Sequence, residues 1–415
     1  MKTLFLTSSL FLLLVGLSPA QQNQVDSMNW PQWRGPNRDG FLPKDAPWPA
    51  KISEGNLTQS WRVELGKGYP GPIVSDQLVF SIESMENQES VKAFDRKSGK
   101  LAWLIEWDGK MKVPFFAAKN GSWVRSTPAF DGENLFVCGM RDVLHSIHAK
   151  TGKINWKVDF VERYDTPLPA FGMVCSPLIE GDHLYIQAGS GFVKLDKKTG
   201  KSIWRTLTDK GGMFGSAFSS PVIKEINGVK QLVVQTRTDL AGVDPQSGKK
   251  LWSKPIKAFR GMNILTPTIL DNQIFTSSYG GKSLMLDIQK TGDKQSVQLA
   301  WENKQEGYMS GPIMIDGFCY IHLKKQRITC LDIKNGETKW ISSESFGKYM
   351  SMVSNGKEIL ALDESGILYL IKPSPEKFII LEKRTISESP TWAHLALSGN
   401  QLFVRELEAL ACYSW

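Results

Sequence analysis

The sequence predicts an all-β chain folded as an eight-bladed β-propeller, with four antiparallel strands in each blade. Three observations carry this. A phrase of the form apolar-Asp-x-x-Ser/Thr/Asn-Gly, followed shortly by Trp, recurs along the chain. Trp61, Trp103, Trp156, Trp204, Trp252, Trp301 and Trp340 stand 42, 53, 48, 48, 49 and 39 residues apart. A small residue followed by Pro opens each unit. A repeat of about 40–50 residues holding four strand-like runs has the period of a propeller blade. Seven blades are the one rival count.

The leader comes first. Lys2, the apolar stretch Leu4 to Leu17 and the small residues Ser18-Pro19-Ala20 read as a cleaved secretory signal over residues 1–20. The run is short for a membrane anchor and polar Gln21-Gln22-Asn23-Gln24 follows at once. No Cys stands at the expected cleavage point, which argues against a lipidated anchor. The expectation is an exported monomer, periplasmic or extracellular, with no transmembrane segment after signal removal. Residues 21–59 form an N-terminal arm and 60–415 the propeller.

The blade phrase appears at Asp95 before Trp103, Asp196 before Trp204, Asp244 before Trp252 and Asp332 before Trp340. Two copies are altered: His148 replaces Asp before Trp156, and the Asp287 copy has an extra residue and a longer path to Trp301. An Asp carboxylate accepts bonds from turn amides, Gly supplies positive φ, and Trp on the next strand fills the space between sheets. The opening phrase reads Gly71-Pro72, Thr127-Pro128, Ser176-Pro177, Ser220-Pro221, Thr266-Pro267 and Gly311-Pro312, since Pro is tolerated at the first residue of a strand. Units seven and eight keep their strands without a clean phrase. The eighth has three, so the strand around Trp61 supplies its fourth and joins the two ends of the chain.

Composition sets the outer bounds. Of 415 residues 41% are hydrophobic and 22% charged, with a net charge of +8, which excludes disordered, collagen-like and coiled-coil chains. Gly at 36 and Trp at 14 fit many turns and short strands. Five cysteines make no disulfide framework; Cys319 and Cys330 face each other across a hairpin only if its register allows. Lysines at 97, 100, 150, 153, 197, 198, 201, 249 and 250 crowd the turns, as a solvated rim or an attraction for an anionic surface.

On these residues the chain resembles the PQQ-like (pyrroloquinoline quinone) repeat propellers. Residues 30–40, Trp-Pro-Gln-Trp-Arg-Gly-Pro-Asn-Arg-Asp-Gly, look like the opening of secreted bacterial propellers of that type. The family includes quinoprotein alcohol dehydrogenases and an outer-membrane assembly lipoprotein. The resemblance implies two functions: a non-catalytic scaffold binding an envelope protein or small ligand, or a dehydrogenase using PQQ with calcium on an alcohol or sugar. The dehydrogenases use an Asp base, calcium and usually adjacent cysteines; this chain has no adjacent cysteines, and no Asp or Glu aligns with those roles. No cofactor, metal site or catalytic residue is therefore expected, and no nucleic acid.

Candidate ligand residues lie just before the opening phrases, in loops reaching the channel mouth. They are Tyr69, Arg125, Met173, Phe214, Met262, Tyr308, Tyr349 and, in the eighth unit, Trp392. Aromatics, Met and Arg are enriched at binding surfaces, although the same side chains also suit a plug. Two long connections, residues 108–124 and 157–172, carry Phe115, Phe116, Phe160, Tyr164 and Phe171 and suggest a partner site or a lid. The histidines, His145, His148, His183, His322 and His394, have no metal-ligand spacing.

Overall fold

Eight four-stranded antiparallel sheets stand in a ring in the computed structural model, which describes residues 29–210 and 215–415. The expected leader and Phe214 lie outside the described residues. Blade 1 consists of Ile73–Val74, Leu78–Met85, Gln88–Asp95 and Leu101–Asp108, ordered in the sheet as in the chain. Blades 2 to 7 repeat that order over residues 129–159, 178–206, 222–255, 268–303, 313–341 and 350–385. Blade 8 joins Ala396–Ser398, Gln401–Arg405 and Ala409–Ser414 to Thr58–Glu64, which pairs antiparallel with Ala409–Ser414. The ring closes as the sequence predicts. No helix among the described residues is long and apolar enough to cross a membrane.

The short first strands are buried around the axis, whereas outer strands such as Leu101–Asp108 alternate exposed and half-buried residues. The core lies between blades. Phe136, Cys138 and Leu144 of blade 2 pack on Leu184, Ile186 and Val193 of blade 3. Burying such side chains removes apolar surface at roughly 25 cal/mol per Å².

The blade phrase works as a staple to the next blade. Asp95 Oδ1 accepts from the Ser98 amide at 2.8 Å and its hydroxyl at 2.7 Å. Gly99, at φ +69°, closes the turn by donating to the Asp95 carbonyl at 2.9 Å. Trp61 of blade 8 lies on this turn: a Cβ at Gly99 would stand 2.8 Å from its ring. Trp103 on Gly152, Trp156 on Gly200, Trp204 on Gly248 and Trp301 on Gly336 repeat the contact. Their indole N–H groups donate to carbonyls of Arg96, Ala149, Lys197, Gln246 and Ile333 at 2.7–3.1 Å. In the altered second copy His148 takes the Asp position and bonds Thr151 through Nδ1 at 3.0 Å.

Two expectations are resolved against the simple repeat. Asp287 is not a turn residue. It lies inside Ser283–Thr291, opposite Gln298, and accepts from Gln273 at 2.7 Å, because this hairpin continues past it to turn at Gly292. No blade-5 glycine then underlies Trp252, whose N–H turns back to Gln231 Oε1 of its own blade at 2.6 Å. Trp340 instead reaches the Ser374 carbonyl at 2.8 Å. The hairpin register sets Cys319 opposite Leu331 and Cys330 opposite Tyr320, one residue out of step, so the two thiols point to opposite faces. All five cysteines are buried and free.

Candidate functional site

Every connection from an outer strand to the next blade's inner strand crosses one end of the channel, and all eight line a single cavity of about 190 Å³. The hydroxyls before Pro in four of the six opening phrases hold them in place. The Gly71 amide donates to Thr127 Oγ1, Thr127 to Ser176 Oγ, Ser176 to Ser220 Oγ and Ser220 to Thr266 Oγ1, all at 2.9–3.1 Å. On the far side Met350 donates to Ser310 Oγ and Leu395 to Ser351 Oγ. The small residue of the opening phrase therefore supplies an acceptor between blades, a role that reasoning from Pro alone does not reveal.

Six of the expected residues come together here: Tyr69, Arg125, Met262, Tyr308, Tyr349 and Trp392 all line the cavity. Tyr69 stacks on Trp392 with ring centroids 5.3 Å apart, and Trp392 on Tyr349 at 6.3 Å. Trp123 meets Tyr69 edge-on at 5.6 Å, and the Tyr69 hydroxyl donates to the Asn120 carbonyl at 2.7 Å. The Arg125 guanidinium sits 5.4 Å from the Tyr69 ring and donates to the Gly121 carbonyl at 2.7 Å. Burial pushes the Tyr69 phenol up to about 12, raises that of Tyr349 further and lowers the Arg125 guanidinium.

Met173 does not reach the mouth. It is buried among Phe136, Cys138 and Cys175 between blades 2 and 3, and its neighbour Val174 faces the cavity instead. Successive side chains of extended backbone point to opposite sides, so one of the two must turn inward. Of the long-connection aromatics, Phe171 lines the cavity while Phe160 is fully buried beneath Tyr164. Phe115 is 90% exposed on the short 3₁₀ turn Phe115–Asn120, and Phe116 packs edge-on against Phe171.

The floor comes from the N-terminal arm. Trp30 pairs with Val74 of blade 1, the Phe130 amide of blade 2 donates to the Pro31 carbonyl, and Leu42 bonds Ser354 of blade 7. Trp33 enters the cavity and meets His394 edge-on at 5.8 Å. Arg34 and Arg38 stack on Trp33 at 5.6 and 5.7 Å and are almost wholly buried. Arg34 donates to the carbonyls of Pro312 and Asp39, and Arg38 to those of Pro177 and Ser176. Burial, aided by the Arg34 charge, holds the His394 imidazole down at about 3, hence neutral. Trp33 stands apart in sequence as a Trp outside the blade repeat, whereas His394, a solitary His, carries no signal of its place in the lining.

The cavity does not suit PQQ with calcium. Among the described residues no Asp or Glu lines it, so neither an Asp base nor a carboxylate ligand for calcium is in place. No group of three His, Cys, Asp or Glu side chains is placed to hold a metal among the described residues.

Comparison with known proteins agrees with this architecture. Residues 87–342 match the family described as outer membrane protein assembly factor BamB. The BamB of Yersinia pestis is 20% identical over 348 residues, covering 80% of this chain and 83% of that protein. The crystal structure of BamB from Moraxella catarrhalis superposes with a TM-score of 0.61 at 15% identity, over 86% of this chain and 98% of that one. The quinohemoprotein alcohol dehydrogenase of Comamonas testosteroni shares the fold at a TM-score of 0.59 and 12% identity, over 95% of this chain and 81% of that one. The chain is thus a PQQ-like repeat propeller, and it belongs to the family described as outer membrane protein assembly factor BamB.

Proposed function

We propose that this protein is an exported, non-catalytic scaffold of the cell envelope that binds a partner protein at the channel mouth. The observation that carries this reading is the convergence of eight connections on one aromatic cavity without a lining carboxylate. The quinoprotein chemistry of the alternative needs a carboxylate base and carboxylate ligands for calcium, whereas stacked Tyr and Trp with an Arg are the composition of binding hot spots. Exposed Phe115, Phe116 and Phe259 on the surrounding loops extend the apolar contact outward. The role of the relatives as outer membrane protein assembly factors supports an envelope protein as partner. The leader pattern supports export to the periplasm or beyond, and the closure of blade 8 by Thr58–Glu64, which completes all eight blades within one chain, supports a monomer.

The test is photo-cross-linking. A cross-linker at Phe115, beside the mouth, is expected to capture a defined envelope protein, whereas one at Lys198 on the repeat turns is not. Equal capture from both faces sinks the reading. So does turnover in a dye-linked alcohol oxidation assay of the purified protein titrated with PQQ and Ca²⁺.

A further inference from the structure

Among the described residues the charged side chain that lines the cavity is a cation, and the nearby Glu364, which acts on the Tyr69 phenol, stands outside the lining. Arg125 lines the cavity, its Nε is buried without an acceptor, and it makes no ion pair among the described residues. Beneath Trp33 lie the guanidiniums of Arg34 and Arg38, whose Nε atoms are likewise buried without acceptors. The only other titratable lining groups are the phenols of Tyr69, Tyr308 and Tyr349, held neutral by burial, and neutral His394. A cation set apart from water in low dielectric attracts an anion strongly, and a guanidinium suits a carboxylate in particular.

The shape is equally specific. Tyr69, Trp392 and Tyr349 form a stacked row of rings, at 30° and 21° to one another, which gives the cavity an aromatic wall beside Arg125. About 190 Å³ is somewhat more than the roughly 150 Å³ cavity known to take a benzene ring. There is room for one ring and a small substituent.

We propose that the cavity binds a single-ring aromatic group bearing a carboxylate, with the ring on the Tyr69–Trp392–Tyr349 wall and the carboxylate at Arg125. The proposal rests on the reading of the mouth as the binding face and names what that face takes. The group comes either from a free aromatic acid or from adjacent acidic and aromatic side chains of a partner. Neither source requires any covalent step.

The experiment titrates the full chain with phenylacetate, phenylacetamide and the dipeptide N-acetyl-Asp-Phe-amide, following Trp fluorescence and heat of binding. Phenylacetate or the dipeptide is expected to bind at least tenfold more tightly than the uncharged amide. Tighter binding of the dipeptide points to a partner protein as the source, and tighter binding of phenylacetate to a free acid. Arg125→Met is expected to abolish the preference for charge, and Trp392→Leu to weaken all three probes. Equal binding of phenylacetate and phenylacetamide to the unaltered protein, with no dipeptide binding, overturns the proposal whatever the variants do. No saturable binding of any probe up to 10 mM, a ceiling of about 3 kcal/mol, overturns it as well. Partner capture at Phe115 that persists after such a result leaves the scaffold reading standing, and charge-selective binding without capture overturns that reading alone.

Discussion

Gly99 answers to two constraints at once: its φ of +69° and the Trp61 ring 2.8 Å from where a Cβ would stand. Gly132 has φ +99° but open space around its Cβ position, so it isolates the first constraint. Gly132→Ala is expected to cost about 1 kcal/mol and Gly99→Ala about 3, since the latter also displaces a packed ring. Urea titration of both variants checks this, and equal losses would show that the Trp contact contributes nothing. A second residue-scale prediction concerns pH. Glu89 is buried and accepts from the Met140 amide at 2.7 Å and the Trp107 N–H at 2.8 Å. Burial nonetheless pushes its carboxyl from 4.5 up to about 7, with Asp108 adding to the rise and Arg141 opposing it. Asp142, bonded by the Gly189 amide, is likewise pushed by burial from 3.8 up to about 7. In the unfolded chain both ionise near pH 4, so between about 4 and 7 the folded state holds protons that the unfolded state has released. Stability therefore falls as pH rises through that window and levels off above it, by an amount of order 3 kcal/mol for Glu89 alone. Glu89→Gln should flatten part of this slope in urea melts from pH 4.5 to 8. Parallel slopes for the two proteins would remove Glu89 from the account.

The arm is the element whose role the sequence conceals most fully. Its two arginines carry no mark of burial in the sequence, yet each is buried and bonded to backbone carbonyls, Arg38 in blade 3 and Arg34 in blade 6. Carbonyls belong to every residue type, so such pairing leaves no periodic mark for sequence reasoning to find. The loops that build the mouth were legible for the opposite reason. In the first six units they precede a recurring small-Pro phrase, which fixes where Tyr69, Arg125, Met262 and Tyr308 leave the sheet, and the blade period places Tyr349 and Trp392. Legibility stopped at the parity of the chain, where Val174 rather than Met173 faces inward. Arg38→Met removes three charge-assisted bonds, to the Pro177 and Ser176 carbonyls at 2.8 and 3.1 Å and to Gln32 Oε1 at 3.2 Å, and should destabilise the protein by about 2–4 kcal/mol. Arg38→Lys keeps the charge but not the planar fork, so it should recover less than half of that loss. Full recovery by Lys in chemical denaturation would mean that charge alone anchors the arm.

At the scale of the whole molecule, blade number and closure followed from counting. Eight repeats, a final unit one strand short and a spare strand at Trp61 leave one arrangement without an open edge. What counting could not supply was how the seam is held, because the repeat Trp residues other than Trp252 grip a blade other than their own. Trp61 lies opposite Cys412 in the closing pair, while its N–H reaches Arg96 of blade 1 at 3.0 Å. The strand Thr58–Glu64 therefore holds blade 8 together and staples it to blade 1 in the same stroke. Deleting residues 58–64 should open the ring at one place and leave the other inter-blade cores intact. The thiols report this locally, since Cys412 lies in the strand that would lose its partner, whereas Cys138 and Cys175 lie in the core between blades 2 and 3. In the intact protein all five thiols are buried and should resist an aqueous thiol reagent until global unfolding. In the deletion variant Cys412 should react orders of magnitude faster than Cys138 and Cys175. Simultaneous exposure of all five would instead mean that the ring unfolds as one unit once the seam is cut. Continued protection of Cys412 would mean that the closing strand is dispensable to blade 8.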